Sequence, residues 1–188
     1  MGSGKGDGFN PWPDWSVYSL LMIWEDITAA EDFINNSKLF HSYRDHAKEV
    51  WTLYLQNSRA DGKWSGTNPF QPQPNPPTTS PRIAVITRAT IRIRKLRKFW
   101  QYVPTSSIPL TNNPGLIFTK GIGEVPVLQM ATFSLWQNES ALKQFAYQSK
   151  EHQKAIRMTR KLDWYKEELF ARFWVIKENG SWQIRNDD

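Results

Sequence analysis

The sequence predicts an α+β fold made of a strand–helix unit repeated in tandem, and three observations predict it. Several short runs alternate apolar and polar residues at period two, the pattern of strands. Other stretches carry the three-to-four-residue apolar spacing of amphipathic helices. The third observation is a spaced repeat. Trp24 is followed nine residues on by Phe33 and thirteen on by Ser37-Lys38, while Trp136 is followed nine on by Phe145 and thirteen on by Ser149-Lys150. A later tryptophan matches to within one residue, Trp51 against Trp164. Upstream of each copy stands a glycine-rich stretch that reads as a turn, Gly2 to Gly8 and Gly121 to Gly123. Chance supplies one such match; several in register indicate duplication of a βαβ-type unit.

Element by element, Tyr18 to Trp24 reads as a strand. Thr28 to Gln56 reads as helical segments broken near Asn35-Asn36-Ser37, where Asn or Ser suits a cap. Six of the twelve prolines fall between Pro69 and Pro81. Without backbone N–H groups they sustain neither helix nor central strand, so this run is an extended connector. It divides the chain into a first half (1–67), a linker (68–81) and a second half (82–188). Arg82 to Arg94 alternates as a strand, with Ile83, Val85, Thr87, Ala89, Ile91 and Ile93 on one side. A helix over Arg94 to Tyr102 follows, then a loop from Pro104 to Gly115, the apolar run Leu116 to Phe118, the glycine turn and a strand over Val127 to Trp136. Helices are expected from Glu139 to Tyr147 and from Ser149 to Lys161. The last strand is Phe170 to Lys177, closed by a turn at Glu178 to Ser181. About forty residues of the second half precede Gly121, whereas only Met1 precedes Gly2. The first copy is therefore expected to lack its opening strand and helix, as a shortened chain would. An open sheet edge invites pairing, so a homo-oligomer is an expected state.

With 188 residues the chain has room for one ordinary domain or two very small ones. At 39% hydrophobic and 22% charged it is globular, which excludes disorder and collagen-like repetition. The absence of cysteine removes disulfides, thiolate metal sites and a cysteine nucleophile, and fits a reducing cytoplasm. The longest apolar stretch, Val17 to Trp24, falls far short of the ~20 residues of a membrane-spanning helix. No signal peptide is legible, and a soluble, cytoplasmic protein is expected. A net charge of +6 favours acidic partners. Ten tryptophans are the odder feature, since large aromatic surfaces line either a thick core or a pocket for a big flat or greasy ligand.

Few residues carry chemistry. The Gly-x-Gly of the first segment follows no strand and lacks the Gly-Lys-Ser/Thr of a phosphate loop, so a flexible turn is the plainer reading. Arg88, Arg92, Arg94, Lys95, Arg97 and Lys98 put six cations in eleven residues beside Phe99 and Trp100. A solvated strand edge and helix face explains them, as do anionic lipid headgroups, ligand carboxylates or nucleic acid. No Gly-x-Ser-x-Gly elbow is present, and the adjacent pair Glu167-Glu168, read on a helix, diverges. Of three histidines, His41 and His46 lie on a polar face whose opposite stripe is Phe40, Tyr43, Ala47 and Val50/Trp51. His152 instead heads a stripe of Ala155, Ile156 and Thr159, and the first copy has Phe40 where the second has His152. A lone inward histidine amid aromatic residues, with no Cys/His cluster to hold zinc, suits a metal that brings four ligands of its own, as haem iron does.

Several ordered segments carry a family resemblance: Gly2-Ser-Gly-Lys-Gly-Asp-Gly-Phe9, Pro11-Trp-Pro-Asp-Trp-Ser-Val-Tyr-Ser-Leu-Leu21, Gly121-Ile-Gly-Glu124, Ala131-Thr-Phe-Ser-Leu-Trp136, Phe145-Ala-Tyr147 with His152, and Trp164-Tyr-Lys-Glu-Glu-Leu-Phe-Ala-Arg-Phe173. Over nearly the whole chain they resemble the bacterial spheroidene monooxygenase family of carotenoid ketolases. The resemblance implies ferredoxin-like halves in tandem, forming a dimeric-α+β-barrel-like architecture. It implies a haem-dependent oxygenase that uses O₂ and an external electron donor, such as a ferredoxin, to place a keto group beside the terminal methoxy group of an acyclic carotenoid. Carried over by residue, it makes His152 the axial iron ligand and catalytic residue. Only His152 is carried over; around a haem held there, Trp136, Phe145 and Trp164 would wall the porphyrin, and Arg157 or Arg160, one or two turns on, would reach its propionates. A lipophilic polyene comes from membrane, so the basic cluster is expected to make peripheral contact there. Two other readings are a haem- or lipid-binding protein without turnover and a basic nucleic-acid-binding module; an absorbance spectrum and a carotenoid assay separate them.

Overall fold

In the computed structural model of the chain, residues 1–6, 10, 12–77, 81–101, 113–125, 127–148 and 162–182 are described. A strand apolar on both faces organises the fold. It is β4 (Ile83–Ile91), whose Ile83, Ala84, Val85 and Ile86 are all buried. A run apolar on both faces is stable only with cover on both sides. The other strands are β1 (Gly2–Gly4), β2 (Pro13–Tyr18), β3 (Thr52–Gly62), β5 (Leu116–Val125), β6 (Gln129–Trp136) and β7 (Tyr165–Asn179). They form one sheet in the order β2-β1-β5-β6-β4-β7-β3. The ladders β1–β2, β1–β5, β5–β6, β4–β6 and β4–β7 are antiparallel. No ladder joins the end strands β2 and β3 among the described residues. Helices are α1 (Ile27–Asn36), α2 (Lys38–His46), α3, described over 96–101 after a 3₁₀ turn at Ile93–Lys95, and α4 (Glu139–Gln148). Among the described residues none is long and apolar enough to cross a membrane.

The repeat is physical. Trp24 and Phe33 stack with ring centroids 5.1 Å apart, and so do Trp136 and Phe145, at interplanar angles of 41° and 36°. The cap repeats as well: Asp26, two residues past the first tryptophan, accepts from the Ala29 N–H at 2.8 Å, and Asn138, two past the second, from the Ala141 N–H at 2.9 Å. Each helix thus starts where its tryptophan ends the preceding segment, because an Asp or Asn side chain satisfies an N–H the helix leaves bare. Trp51 and Trp164 each stand directly before a long strand, β3 and β7. Replacing Asn138 with Ala is expected to cost about 1 kcal/mol of stability, read as a lower urea midpoint at unchanged slope.

Several sequence expectations are corrected. Gly2–Gly4 and Gly121 to Gly123 are strand rather than turn, in β1 and β5, and Gly2 lies opposite Gly123. The first strand is Pro13–Tyr18, not Tyr18 to Trp24. The helical reading of Thr28 to Gln56 holds only to His46, beyond which the chain turns into β3. Glu167 and Glu168 sit on β7 and point to opposite faces of a strand rather than diverging on a helix. The expected helix over Ser149 to Lys161 lies outside the described residues.

The chain packs as two compact units, Met1–Leu20 with Gln56–Trp174, and Leu21–Leu55 with Val175–Asp188. Residues 1–20 and 56–67 of the expected first half thus belong with the core of the second. In the smaller unit the Trp51 indole N–H donates to Glu178 at 2.6 Å, and the Lys177 ammonium pairs with Glu31 and lies 5.4 Å from the Tyr54 ring centre. In the larger unit Lys120, on β5, pairs with Asp14 at 3.2 Å and ties β2 to the sheet. The Ser16 hydroxyl, then Lys120, hold the Asp14 carboxyl below its usual range.

Candidate functional site

Strand alternation decides which side chains share a face. On one face of the larger unit β4 presents Ile83, Val85, Thr87, Ala89 and Ile91; β6 places Trp136, Ser134, Thr132 and Met130 opposite the first four. α4 covers one end. There Trp136, 1% exposed, packs with Ile83, Val85 and Phe145, with Leu116, Ala141 and Leu142 around them. The Trp136 indole donates to Ser134 Oγ at 3.0 Å, so its polar edge is satisfied inside the core. Glu139, in the first turn of α4, pairs with Lys143 of the same helix at 3.1 Å and with Arg172 at 2.9 Å, and the second pair clamps the helix to β7. The Lys143 hydrogen bond, then Arg172, hold the Glu139 carboxyl low. At the other end Phe99 of α3 packs with Ile91, Met130 and Trp164.

Between these aromatic ends the floor is small and polar. Thr87 faces Thr132 on β6 and Phe170 on β7, while Thr132 faces Gly121 on β5. Ala89 and Gly123 both face Met130 in the next row. Thr87 is exposed although it lies mid-strand at the centre of the sheet, and Phe170 is exposed beside it. Thr132 is only 8% exposed, and its hydroxyl has no hydrogen-bond partner. A Cβ on Gly2, beside Gly123 at the sheet's margin, would meet nothing within 4 Å. Glycine and threonine on a strand face leave room for a ligand or another backbone to come close. The result is a bay with a small-residue floor and aromatic ends.

Trp136 and Phe145 therefore stand together. Trp164 does not stand with them: it lies at the Ile91 end, and Ile83 to Ile91 spans about 26 Å of strand. The three aromatics mark the two ends of one bay rather than a single wall. His152, Arg157 and Arg160 lie outside the described residues. Of the other histidines, both on α2, His46 is exposed, its Nδ1 2.7 Å from the Ser42 carbonyl, and His41 is half-buried rather than fully solvated. Tyr43, expected on the apolar stripe of α2, is exposed, while Phe40 is buried. No cluster of three or more His, Asp or Glu able to hold a metal ion occurs among the described residues.

The opposite face holds a group that sequence reasoning misplaced. Arg88, expected in a solvated basic cluster, is 1% exposed. Its guanidinium pairs with Glu124 at 2.9 Å and Glu167 at 2.7 Å and lies 5.1 Å from the Trp64 ring centre. The Trp64 indole donates to Glu124 at 2.7 Å, and Glu167 accepts from the backbone of Gly66 at 2.7 Å and Ser65 at 2.8 Å. The Gly66 N–H, then Ser65 and Arg88, hold the Glu167 carboxyl below its usual range. This network pins the turn after β3 onto the sheet, and Phe70 follows it down, edge-on to Phe173 at 5.0 Å. The turn depends on Gly62, at φ +98°, where a Cβ would run into the Glu168 carbonyl. The signal was legible: Ala84, Ile86 and Arg88 share one register of a strand apolar on both faces, so Arg88 has nowhere to go but inward.

No protein-family model matches the chain. Curated relatives do. The chain is similar to a spheroidene monooxygenase of Cereibacter sphaeroides, 38% identical over 97% of this chain and 56% of the relative. It is equally similar to one of Rhodobacter capsulatus, 38% over 96% of this chain and 76% of the relative. A third, of Rubrivivax gelatinosus, is 33% identical over 98% and 70%. The chain thus spans about half the length of the first of these relatives and roughly three quarters of the second. Among solved structures, a candidate monooxygenase of Fusobacterium nucleatum overlaps 84% of this chain and 69% of its own at 13% identity and a TM-score of 0.49. SnoaB, a cofactor-independent oxygenase of Streptomyces nogalater, overlaps 56% and 98% at 13% identity and a TM-score of 0.38. At that overlap neither bears on the chemistry. The curated relatives share a third or more of the residues along virtually the whole chain, and the chain belongs to the spheroidene monooxygenase family.

Proposed function

We propose that the chain acts as a haem-dependent monooxygenase that introduces a keto group into an acyclic, spheroidene-like carotenoid, with O₂ and electrons from an external donor such as a ferredoxin. The observation that carries this reading is the 38% identity to the Rhodobacter capsulatus enzyme over 96% of the chain. The bay supports it, because glycine, alanine and threonine between aromatic ends leave room for a flat guest to come close. A porphyrin in turn needs apolar walls and one axial imidazole from the chain. His152 would supply that imidazole, and Arg157 or Arg160 would neutralise propionates. The repeat favours this choice: Phe40, which holds the matching place in the first copy, is buried with its ring 6.3 Å from Phe33. When bound, haem supplies O₂ activation. Each oxygenation of the methylene carbon consumes one O₂, two electrons and two protons and releases water. A second round on the same carbon gives a gem-diol, which loses water to the ketone.

The chain's own residues orient the substrate. The unpartnered Thr132 hydroxyl is buried in the floor of the bay, where leaving a donor unused is costly. The methoxy oxygen of the carotenoid accepts from it and sets which carbon is presented. Replacing Thr132 with Val is expected to raise apo stability by about 1 kcal/mol and to lower kcat/KM on the methoxylated polyene about tenfold, one neutral hydrogen bond's worth. A polyene hydrocarbon of similar length should be indifferent to the change. Loss of stability with unchanged turnover would remove Thr132 from this role. The function itself is tested by adding haem to the purified chain, recording the Soret band, then supplying carotenoid, O₂ and reduced ferredoxin. A Soret band with ketone product is expected; a band without turnover leaves a binding protein, and no band ends the haem reading.

A further inference from the structure

At the Ile91 end of the bay, apolar side chains face outward where packing would ordinarily bury them. Ile93, in the 3₁₀ turn after β4, is 74% exposed. Val125 and Val127, at the tip between β5 and β6, are exposed as well. Val127 has a φ of +71°, a region that β-branched residues avoid, so the tip holds a strained conformation that leaves a valine in solvent. The tip and the turn belong together. The Ile91 N–H donates to the Leu128 carbonyl at 2.9 Å, and the Trp100 indole donates to the Val127 carbonyl at 3.2 Å.

Five cations lie on the turn and helix beside this apolar tip. Arg92, Arg94, Arg97 and Lys98 are exposed and Lys95 half-buried; among the described residues Arg92 pairs with Asp163 at 3.1 Å and the other four have no ion pair. The nearby carboxylates Glu124 and Glu167 are engaged by Arg88. Phe99, next to Lys98, is buried against Met130 and Trp164 and anchors the segment at that end of the sheet. Exposed aliphatics beside five cations, four of them without an ion pair among the described residues, with an indole at their base, match the chemistry of an anionic bilayer surface. Aliphatic tips enter the headgroup boundary, and each cation near an anionic surface adds attraction.

We propose that Ile93, Val125 and Val127, together with Arg92, Arg94, Lys95, Arg97 and Lys98, dock this end of the sheet on an anionic lipid bilayer. The inference deepens the proposed function, since docking there opens the Phe99–Trp164 end of the bay toward the membrane that holds the polyene. The test uses the whole chain without haem or carotenoid, sedimented with vesicles of phosphatidylglycerol and phosphatidylcholine. Binding is expected to the anionic vesicles, to weaken with salt, and to fall at least about tenfold in an Arg94→Gln, Arg97→Gln, Lys98→Gln variant. Ile93→Ser should weaken it several-fold with salt sensitivity unchanged. All four changes are at the surface, so thermal unfolding should stay as in the parent chain. Equal binding to pure phosphatidylcholine, binding indifferent to both variants, or retention on nucleic acid in place of vesicles would overturn the proposal. Because lipid binding is read without turnover, it stands or falls separately from the oxygenase reading.

Discussion

Arg88→Ala is expected to destabilise the chain by about 3 kcal/mol, near the lower end for breaking a buried ion pair by removing one partner. It sits at the low end because Glu124 and Glu167 keep 29% and 21% side-chain exposure and would recover some water. Glu167 also keeps its two backbone donors, Ser65 and Gly66. What is lost is the desolvated fork that joins β4, β5, β7 and the turn after β3, together with the Trp64 ring above it. The readout is a lower denaturant midpoint and faster proteolysis within 62–70. Acid supplies the second readout. The Glu167 carboxyl is held below its ordinary value of 4.5, so its contribution is complete above that pH and is lost as pH falls below it toward the depressed value. Without Arg88 the depression shrinks, and the acid limb of the stability curve should become shallower. Arg88→Met, apolar and of similar reach, should recover stability if its partners are replaced with it, as Glu124→Gln and Glu167→Gln. An Arg88→Ala chain of parental stability would show that the pairs only balance their own desolvation.

How far the sequence reveals this molecule depends on the range of the interaction concerned. The repeat was readable because it is local: a tryptophan, a cap two residues on and a phenylalanine nine on act within one helical segment, and the two copies give the same 5.1 Å ring contact. β4, β6 and α4 were readable for the same reason, each carrying its own period. The glycine stretches misled because glycine marks both turns and strands that something approaches closely. Only pairing partners distinguish the two, and Gly2 opposite Gly123 lies more than a hundred residues apart in sequence. β3 was hidden within an apparently helical span because Leu53, Leu55 and their neighbours fit either period.

The site divides along the same line. Trp136 and Phe145 were legible as a buried pair because the repeat names them; Thr87 and Thr132 were missed because no motif marks them. Their signal is a break in an otherwise apolar register. Thr87 interrupts Ile83, Val85, Ala89 and Ile91, Thr132 lies between Met130 and Trp136, and the two face each other across the ladder. Arg88 was misplaced by its company in sequence, since five solvated cations follow it. The face of a strand, not the density of charge along it, decides burial.

His152→Ala is expected to abolish stoichiometric haem binding, with affinity falling by more than about a hundredfold. Changing a ligand's outer partner already costs metal sites ten- to a hundredfold, and removing the ligand itself costs more. The prediction rests on elimination and on the repeat. Among the chain's three histidines, His46 is exposed with its ring tied to the Ser42 carbonyl and His41 lies on the same helix of the smaller unit, so Ala at either should leave the Soret band unchanged. Phe40 shows what the fold does with the matching position in the first copy: it buries the ring beside Phe33. Haem iron takes one axial imidazole from the chain, and the repeat singles out His152 for that role. The apo His152→Ala chain should unfold close to the parent, and free imidazole added with haem should restore the band, which a merely structural role would not allow. A variant that takes up haem with an unshifted spectrum would strip His152 of the iron and leave the aromatic bay to the carotenoid alone.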